Sequence, residues 1–290
     1  MDEPGRIPKF ANARAIFHAQ LLRGPLTIDD KGIPAIADGG NKTSILIARS
    51  IVAKLGTSVT AARVAGQTSG NEFESACSEF LGATFKELQH LRPGKWQVVQ
   101  MPQRDRVGIA RFELYAHLSE LARLCRENTE LASLIGSDYL ICPDIILARD
   151  LEDDAEINAA EALINDSVAG RCSLRKSNGG KSLIHASISC KWTLRSDRAQ
   201  NSRAEALNLI RNRKGRVPHI AVVTAEPLPS RLASLALGTG DLDYVYHFAL
   251  PELIQSVAES NFGDAAEMLR IMLEGKRLRD ISDLPLDLAI

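Results

Sequence analysis

No apolar run in this 290-residue chain approaches the length of a membrane span, and its first residues, Met-Asp-Glu-Pro-Gly, lack the basic and apolar regions of a secretion signal. A cytoplasmic protein without membrane contact is expected. The five cysteines (Cys77, Cys125, Cys142, Cys172, Cys190) are odd in number and form no Cys-x-x-Cys pair, so neither a disulfide framework nor a structural zinc site is indicated. The six histidines show no His-x-x-x-His or His-Asn-His spacing, which disfavours a histidine-held metal. No Gly-x-Ser-x-Gly elbow occurs, so serine-hydrolase chemistry is unsupported. No linker, low-complexity segment or repeat interrupts the chain, and one domain over residues 1–290 is expected. Neither sign of charge prevails: Lys plus Arg is 35, Asp plus Glu is 36 and the formal net charge is −1.

The charge that is present is unevenly placed. Residues 185–217 hold eight Lys or Arg against Asp197 and Glu205, while residues 241–290 hold ten acidic against four basic residues. A basic patch on a near-neutral chain fits a selective binder of nucleic acid; a solvated helix face is the alternative on charge alone.

Ahead of and within that patch lies a chemical constellation. The apolar run Tyr139-Leu-Ile-Cys142 and then Ile145-Ile-Leu147 read as a strand, broken locally by Pro143, that carries Asp144. His185-Ala-Ser-Ile-Ser-Cys-Lys191 reads as a second strand. Its period of two sets Ser187, Ser189 and Lys191 on one face and Ala186, Ile188 and Cys190 on an apolar one. Asp144, Lys191 and Glu205 together supply two carboxylates and an ammonium at the spacing of a metal-dependent nuclease site. A phosphodiester is anionic, so hydrolysis by water is helped by cations that neutralise phosphate and acidify a bound water. Mg²⁺, held by one or two carboxylates and otherwise by water and phosphate, suits that role. Asp144 is the expected shared ligand, Glu205 a direct or water-mediated one, and the Cys190 carbonyl a backbone one, with Lys191 orienting water. Any one of these residues alone reads better as a turn residue or surface ion pair.

After the lysine, Ser196 or Asp197 caps a helix with apolar spacing at Ala204, Leu207 and Ile210, and Gly215 ends it. Arg195, Ser196, Asp197 and Arg198 at its start can read G·C pairs in a major groove, since arginine pairs bidentately with guanine and a carboxylate accepts from cytosine. Arg198 and Glu205, seven residues apart, fall on one helix face. Gly66-Gln-Thr-Ser-Gly-Asn71 is a Gly-rich turn without the lysine of a P-loop, and fits a DNA-contacting loop. Elsewhere helices are predicted over 14–22, 43–55, 71–89, 108–127, 228–237 and 251–275. Strands are predicted near 94–101, 139–147, 184–192 and 219–225, and a polar excursion over 150–182. The order implies an α/β fold with a central mixed β-sheet flanked by helices.

Gly66-Gln-Thr-Ser-Gly-Asn71, Pro143-Asp-Ile-Ile, His185 to Trp192, Arg195-Ser-Asp-Arg-Ala-Gln-Asn201, Asn212-Arg-Lys-Gly-Arg, Val223-Thr-Ala-Glu-Pro227 and the tail from Gly275 carry a resemblance over nearly the whole chain. They are similar to the NgoMIV-like type II restriction endonucleases, members of the PD-(D/E)xK superfamily in the tetrameric group that cuts around a central CCGG. The resemblance implies that Asp144, Lys191 and Glu205 are catalytic, that Ser189 stands where most of the superfamily has its second acid, and that Glu74 is an additional acid of the site. It implies metal ligation by Asp144, Cys190, Glu205 and Glu74, with two Mg²⁺ per site. It further implies that Arg195, Asp197 and Arg198 read the inner pairs, Arg231 the outer G·C pair, and Gln67 the minor groove. The implied target is GCCGGC, cut after the first G to leave four-base 5′ extensions with 5′-phosphates. The implied assembly is a homotetramer, a dimer of dimers holding two DNA copies, with a cognate DNA methyltransferase as genetic partner only. A structure-specific repair nuclease or resolvase with the same core, and a non-cleaving DNA-binding regulator, are the alternatives.

Overall fold

The computed structural model describes residues 7–56, 66–102, 105, 107–137, 139–194, 196–238, 240–260 and 262–290, with the side chains of residues 66, 67 and 196–198 outside the description. Helices α1 (Lys9–Arg23), α2 (Lys42–Lys54) and α3 (Gly66–Phe85) precede strand β1 (Trp96–Gln100). Helices α4 (His117–Glu127) and α5 (Thr129–Ile135) follow, then β2 (Ile145–Arg149), the short α6 (Asp154–Ile157) and β3 (Leu183–Lys191). The chain continues through α7 (Ser196–Asn212), β4 (His219–Thr224), α8 (Pro229–Ala236), β5 (Tyr244–His247), α9 (Leu250–Glu259), α10 (Gly263–Glu274), β6 (Leu278–Asp280) and α11 (Leu284–Asp287).

The strands form one six-stranded sheet in sequence order. β1, β2 and β3 pair antiparallel, whereas β3, β4, β5 and β6 run parallel, their crossovers carrying α7, α8 and the α9–α10 pair. This is the mixed sheet flanked by helices that the element order implies. Both faces are covered, so β2 is apolar up to its last residue, Arg149: Ile145, Ile146, Leu147 and Ala148 are all buried. α3 packs on β1 and β3, with its Phe73 ring 5.2 Å from that of Trp192 just beyond β3. That aromatic contact anchors the helix bearing Glu74 to the strand bearing Lys191.

Several predicted elements differ from those observed. The strand predicted from Tyr139 begins only at Ile145, because Pro143 has no N–H to give to a ladder; residues 139–142 pack as buried or half-buried irregular chain. The helix predicted over 108–127 resolves into two 3₁₀ turns, Gly108–Arg111 and Glu113–Tyr115, before α4. The one over 251–275 is two helices, α9 and α10, α10 beginning at Gly263. In the excursion over 150–182 a capping box at Asp153 and Glu156 starts α6, and the buried Arg175 donates to Asp154 and to the carbonyls of Asn165 and Val168.

Candidate active site

Asp144 stands one residue before β2. Its carbonyl accepts the Met101 N–H at 2.9 Å, and the register pair Ile145–Ile188 makes Ser189 the next neighbour on β3. Three donors converge on Asp144 Oδ2: the Ser189 hydroxyl at 3.3 Å, the Cys190 backbone N–H at 2.6 Å and Lys191 Nζ at 3.0 Å. The shared face predicted for Ser189 and Lys191 is therefore present. Among the described residues no donor reaches Oδ1.

Glu205, in the third turn of α7, faces this pair. Its carboxylate has no hydrogen bond or ion pair among the described residues, and burial pushes its pKa up to about 7; Lys191 pulls it down and the Asp144 charge pushes it up. Burial opposes the charge on Lys191, yet Asp144 and Glu205 outweigh it and hold the ammonium protonated above its ordinary range. Glu74 is buried on α3, where Gln100 Nε2 donates to its Oε1 at 3.1 Å and Ser75 Oγ donates to Gln100 Oε1 at 3.3 Å. The Cys142 thiol is raised by burial first and then by Asp144, Glu205, Asp105 and Glu74, so all four carboxylates act on one locality.

A divalent cation can be tested against this donor set. Among the described residues no three His, Cys, Asp or Glu side chains come together as a complete cage. What is present is a carboxylate with one oxygen open and a second, half-buried carboxylate that accepts no hydrogen bond among the described residues and feels the Lys191 charge. That set suits Mg²⁺, which takes one or two carboxylates and completes its shell with carbonyl, water and phosphate oxygens. Asp144 and Glu205 fit as ligands, the Cys190 carbonyl lies on the same strand segment, and Glu74 adds charge nearby.

The predicted base readers are placed unevenly. Arg195 lies outside the described residues. Ser196, Asp197 and Arg198 form the first turn of α7, and Gln67 that of α3, but their side chains are outside the description. Arg231, third residue of α8, is half-buried and bonds Asp38 through Nη2, with Nη1 3.7 Å from Glu226 Oε2. Asp38 and Glu226 were not singled out in the sequence. Asp38 sits in an Asp-Gly-Gly turn, and Glu226 inside the run Val223 to Pro227, whose match carried no role for it.

Comparison with known proteins places the chain in a class. The model described as NgoMIV restriction enzyme matches residues 17–290. The type II restriction enzyme NgoMIV of Neisseria gonorrhoeae is 56% identical over 284 residues, 98% of this chain and 99% of that one. The chain is thus a type II restriction endonuclease, a DNA-binding hydrolase of a restriction system. Within that class it belongs to the NgoMIV restriction enzyme family. Among solved structures, the type IIF restriction endonuclease Bse634I with cognate DNA superposes with a TM-score of 0.39 at 13% identity, over 100% of this chain and 96% of that one. The restriction endonuclease PspGI–substrate DNA complex gives 0.35 at 14% identity, over 97% and 92%. No helix among the described residues is long and apolar enough to cross a membrane.

Proposed function

We propose that this endonuclease hydrolyses double-stranded DNA at GCCGGC with Mg²⁺, cutting after the first G of each strand to leave four-base 5′ extensions with 5′-phosphates. The observation that supports the metal-dependent step most directly is the pair of carboxylates, Asp144 with Oδ1 open and Glu205 without a hydrogen bond among the described residues. Asp144, Glu205 and the Cys190 carbonyl would hold Mg²⁺, and Glu74, braced by Gln100, would contribute to a second ion. Bound there, Mg²⁺ supplies charge neutralisation at the phosphate and a more acidic water. Lys191, kept protonated, donates to the attacking water and to the charge that builds on the phosphate. Ser189 gives a hydrogen bond where a further carboxylate would add charge.

Arg195, Asp197 and Arg198 at the start of α7, with Ser196, read the inner pairs; Arg231 reads the outer G·C pair, with Asp38 holding its guanidinium, and Gln67 reaches the minor groove. The enzyme is a single catalytic domain acting in the cytoplasm as a dimer of dimers with two duplexes. A DNA methyltransferase of the same specificity is required to spare the host's own sites. Digestion of a plasmid bearing GCCGGC with purified protein and Mg²⁺, followed by sequencing of the ends, tests this reading. Ends at G^CCGGC are expected; ends without a fixed sequence, or binding without cleavage, would overturn it.

A further inference from the structure

We propose that Glu226 is the positioning residue that ties the two base-reading segments together, so that one buried carboxylate sets the recognition of both inner and outer base pairs. The proposal rests on the assignment of residues 195–198 and Arg231 as base readers. Glu226 follows the end of β4 by two residues and is fully buried, at 0% exposure. Its Oε2 accepts the Leu194 N–H at 2.8 Å, immediately before residue 195 and the start of α7. Its Oε1 accepts the Leu228 N–H at 3.1 Å, and Leu228 is the N-cap residue of α8. Arg231, one turn into α8, has Nη1 3.7 Å from Glu226 Oε2 while Nη2 bonds Asp38.

The carboxylate therefore has three partners, and each belongs to a reading segment or its base. Burial pushes the pKa of this carboxylate up to about 7, and the Leu194 N–H, the Arg231 guanidinium and the Leu228 N–H are what draw it back toward the charged form. Here one donor fixes the entry to α7, one fixes the entry to α8, and the third is the outer-pair arginine itself. The negative charge also lies at the N-terminal end of α8, where the helix dipole favours it. A neutral side chain of the same size would fill the space but could not satisfy both N–H groups and the guanidinium. Glu226 touches no base in this scheme; it acts through the backbone at 194 and 228 and through Arg231.

Competition binding in Ca²⁺ with the full-length protein tests the proposal. Glu226→Gln, Arg231→Ala and the double variant are compared on GCCGGC, on ACCGGT with the outer pair changed, and on GCATGC with the inner pairs changed. Ratios of affinity measured on one preparation do not depend on the folded fraction, so a merely structural role would leave them unmoved. Arg231→Ala is expected to lower the outer-pair ratio alone. Glu226→Gln is expected to lower both ratios by roughly three- to tenfold, a part of what a full bidentate contact contributes. The double variant should be no worse on the outer ratio than Arg231→Ala, as for residues in one network. If Arg231→Ala lowers the outer ratio and Glu226→Gln moves neither, the tie is refuted while the base readers stand. If Arg231→Ala leaves the outer ratio intact, the base-reading assignment fails and the tie falls with it. Should Glu226→Gln not fold, Glu226→Asp carries the same test, because its shorter stem withdraws the charge from Leu194 and Arg231.

Discussion

At the residue scale the site is defined by unequal carboxylates. Asp144 is saturated on one oxygen, whereas Glu205, half-buried, accepts no hydrogen bond among the described residues. Asp144→Ala or Lys191→Ala should abolish Mg²⁺-dependent cleavage while leaving DNA binding in Ca²⁺ intact, since the residues proposed to read bases lie elsewhere. Near wild-type turnover in either variant would show that other residues do the chemistry. Glu205→Ala should lose most activity and Ser189→Ala only part of it, because the serine contributes a hydrogen bond and no charge; the opposite ranking would refute the assignment. Glu205 also makes a pH prediction. Its folded pKa, about 7, lies above its ordinary value of 4.5, so folded protein binds the extra proton between those values. The contribution of Glu205 to metal-free stability should fall as pH rises from about 4.5 to about 7 and level off beyond; Glu226, also raised to about 7 by burial, acts in the same direction, and the buried His185 and His247, lowered to about 4, act in the opposite one. Between pH 5 and pH 8 urea unfolding should show Glu205→Gln gaining stability relative to the wild type, and an unchanged difference between the two proteins would place the titrating group elsewhere.

The residues proposed as catalytic could be singled out in the chain because their signal is local: a proline-broken apolar strand for Asp144, a hydroxyl-bearing strand for Lys191, a capped helix for Glu205. Asp38 and Glu226 were not, since their meaning lies in partners far along the chain. Glu226 meets Leu194 across 32 residues and Arg231 meets Asp38 across 193. No local pattern in the chain marks either pairing.

At the element scale, α7 is held in place by Arg203, which donates to the Asp241 carboxylate at 2.6 Å and to the Leu235 carbonyl at 2.8 Å. Gly238 leaves the room for it: a Cβ there would lie 2.0 Å from Arg203 Nη1. Gly238→Ala should expel the guanidinium from its partners and destabilise the protein by about 1–3 kcal/mol, the usual range for overpacking. Thermal melts check this, and an unchanged Tm would mean that the arginine moves aside at no cost. The elements themselves were read well where they are long and periodic, as for α3 and β3. β5 and β6 were not predicted as strands. They have four and three residues, and Leu278-Arg-Asp carries too little apolar pattern to mark a strand outside its sheet.

At the scale of the whole molecule, the first helix is tied to the last strand. Arg14 on α1 donates Nε and Nη2 to Asp280 of β6, both at 2.9 Å, and forks onto Glu252 of α9 at 3.0 and 2.6 Å. The group is mostly buried, with the arginine side chain 18% exposed. Arg14→Ala would strand two carboxylates and should cost about 3 kcal/mol, the lower end of the range for breaking a buried pair. Lysine should restore only a part of it, since an ammonium lacks the planar fork with which the guanidinium meets both carboxylates bidentately. Denaturant unfolding of the two variants decides this, and recovery by lysine would reduce the contact to simple charge pairing.

The parallel pair β3 and β4 has a consequence for changing what the enzyme recognises. Lys191 closes β3 three residues before Leu194, and Thr224 closes β4 two residues before Glu226, so the residues proposed to cut and those proposed to read grow from the same two strand ends. No joint separates blade from gauge. A misfit at a base pair cannot be absorbed by swinging one module against another; it arrives at the scissile phosphate as displacement, where about 1 Å of misplacement is worth 100-fold in rate. Fidelity should therefore be expressed more in the speed of cutting than in the tightness of binding. Exchanging reader side chains alone should yield proteins that grip a new sequence and cut it slowly, with speed recovered by changes at the strand ends.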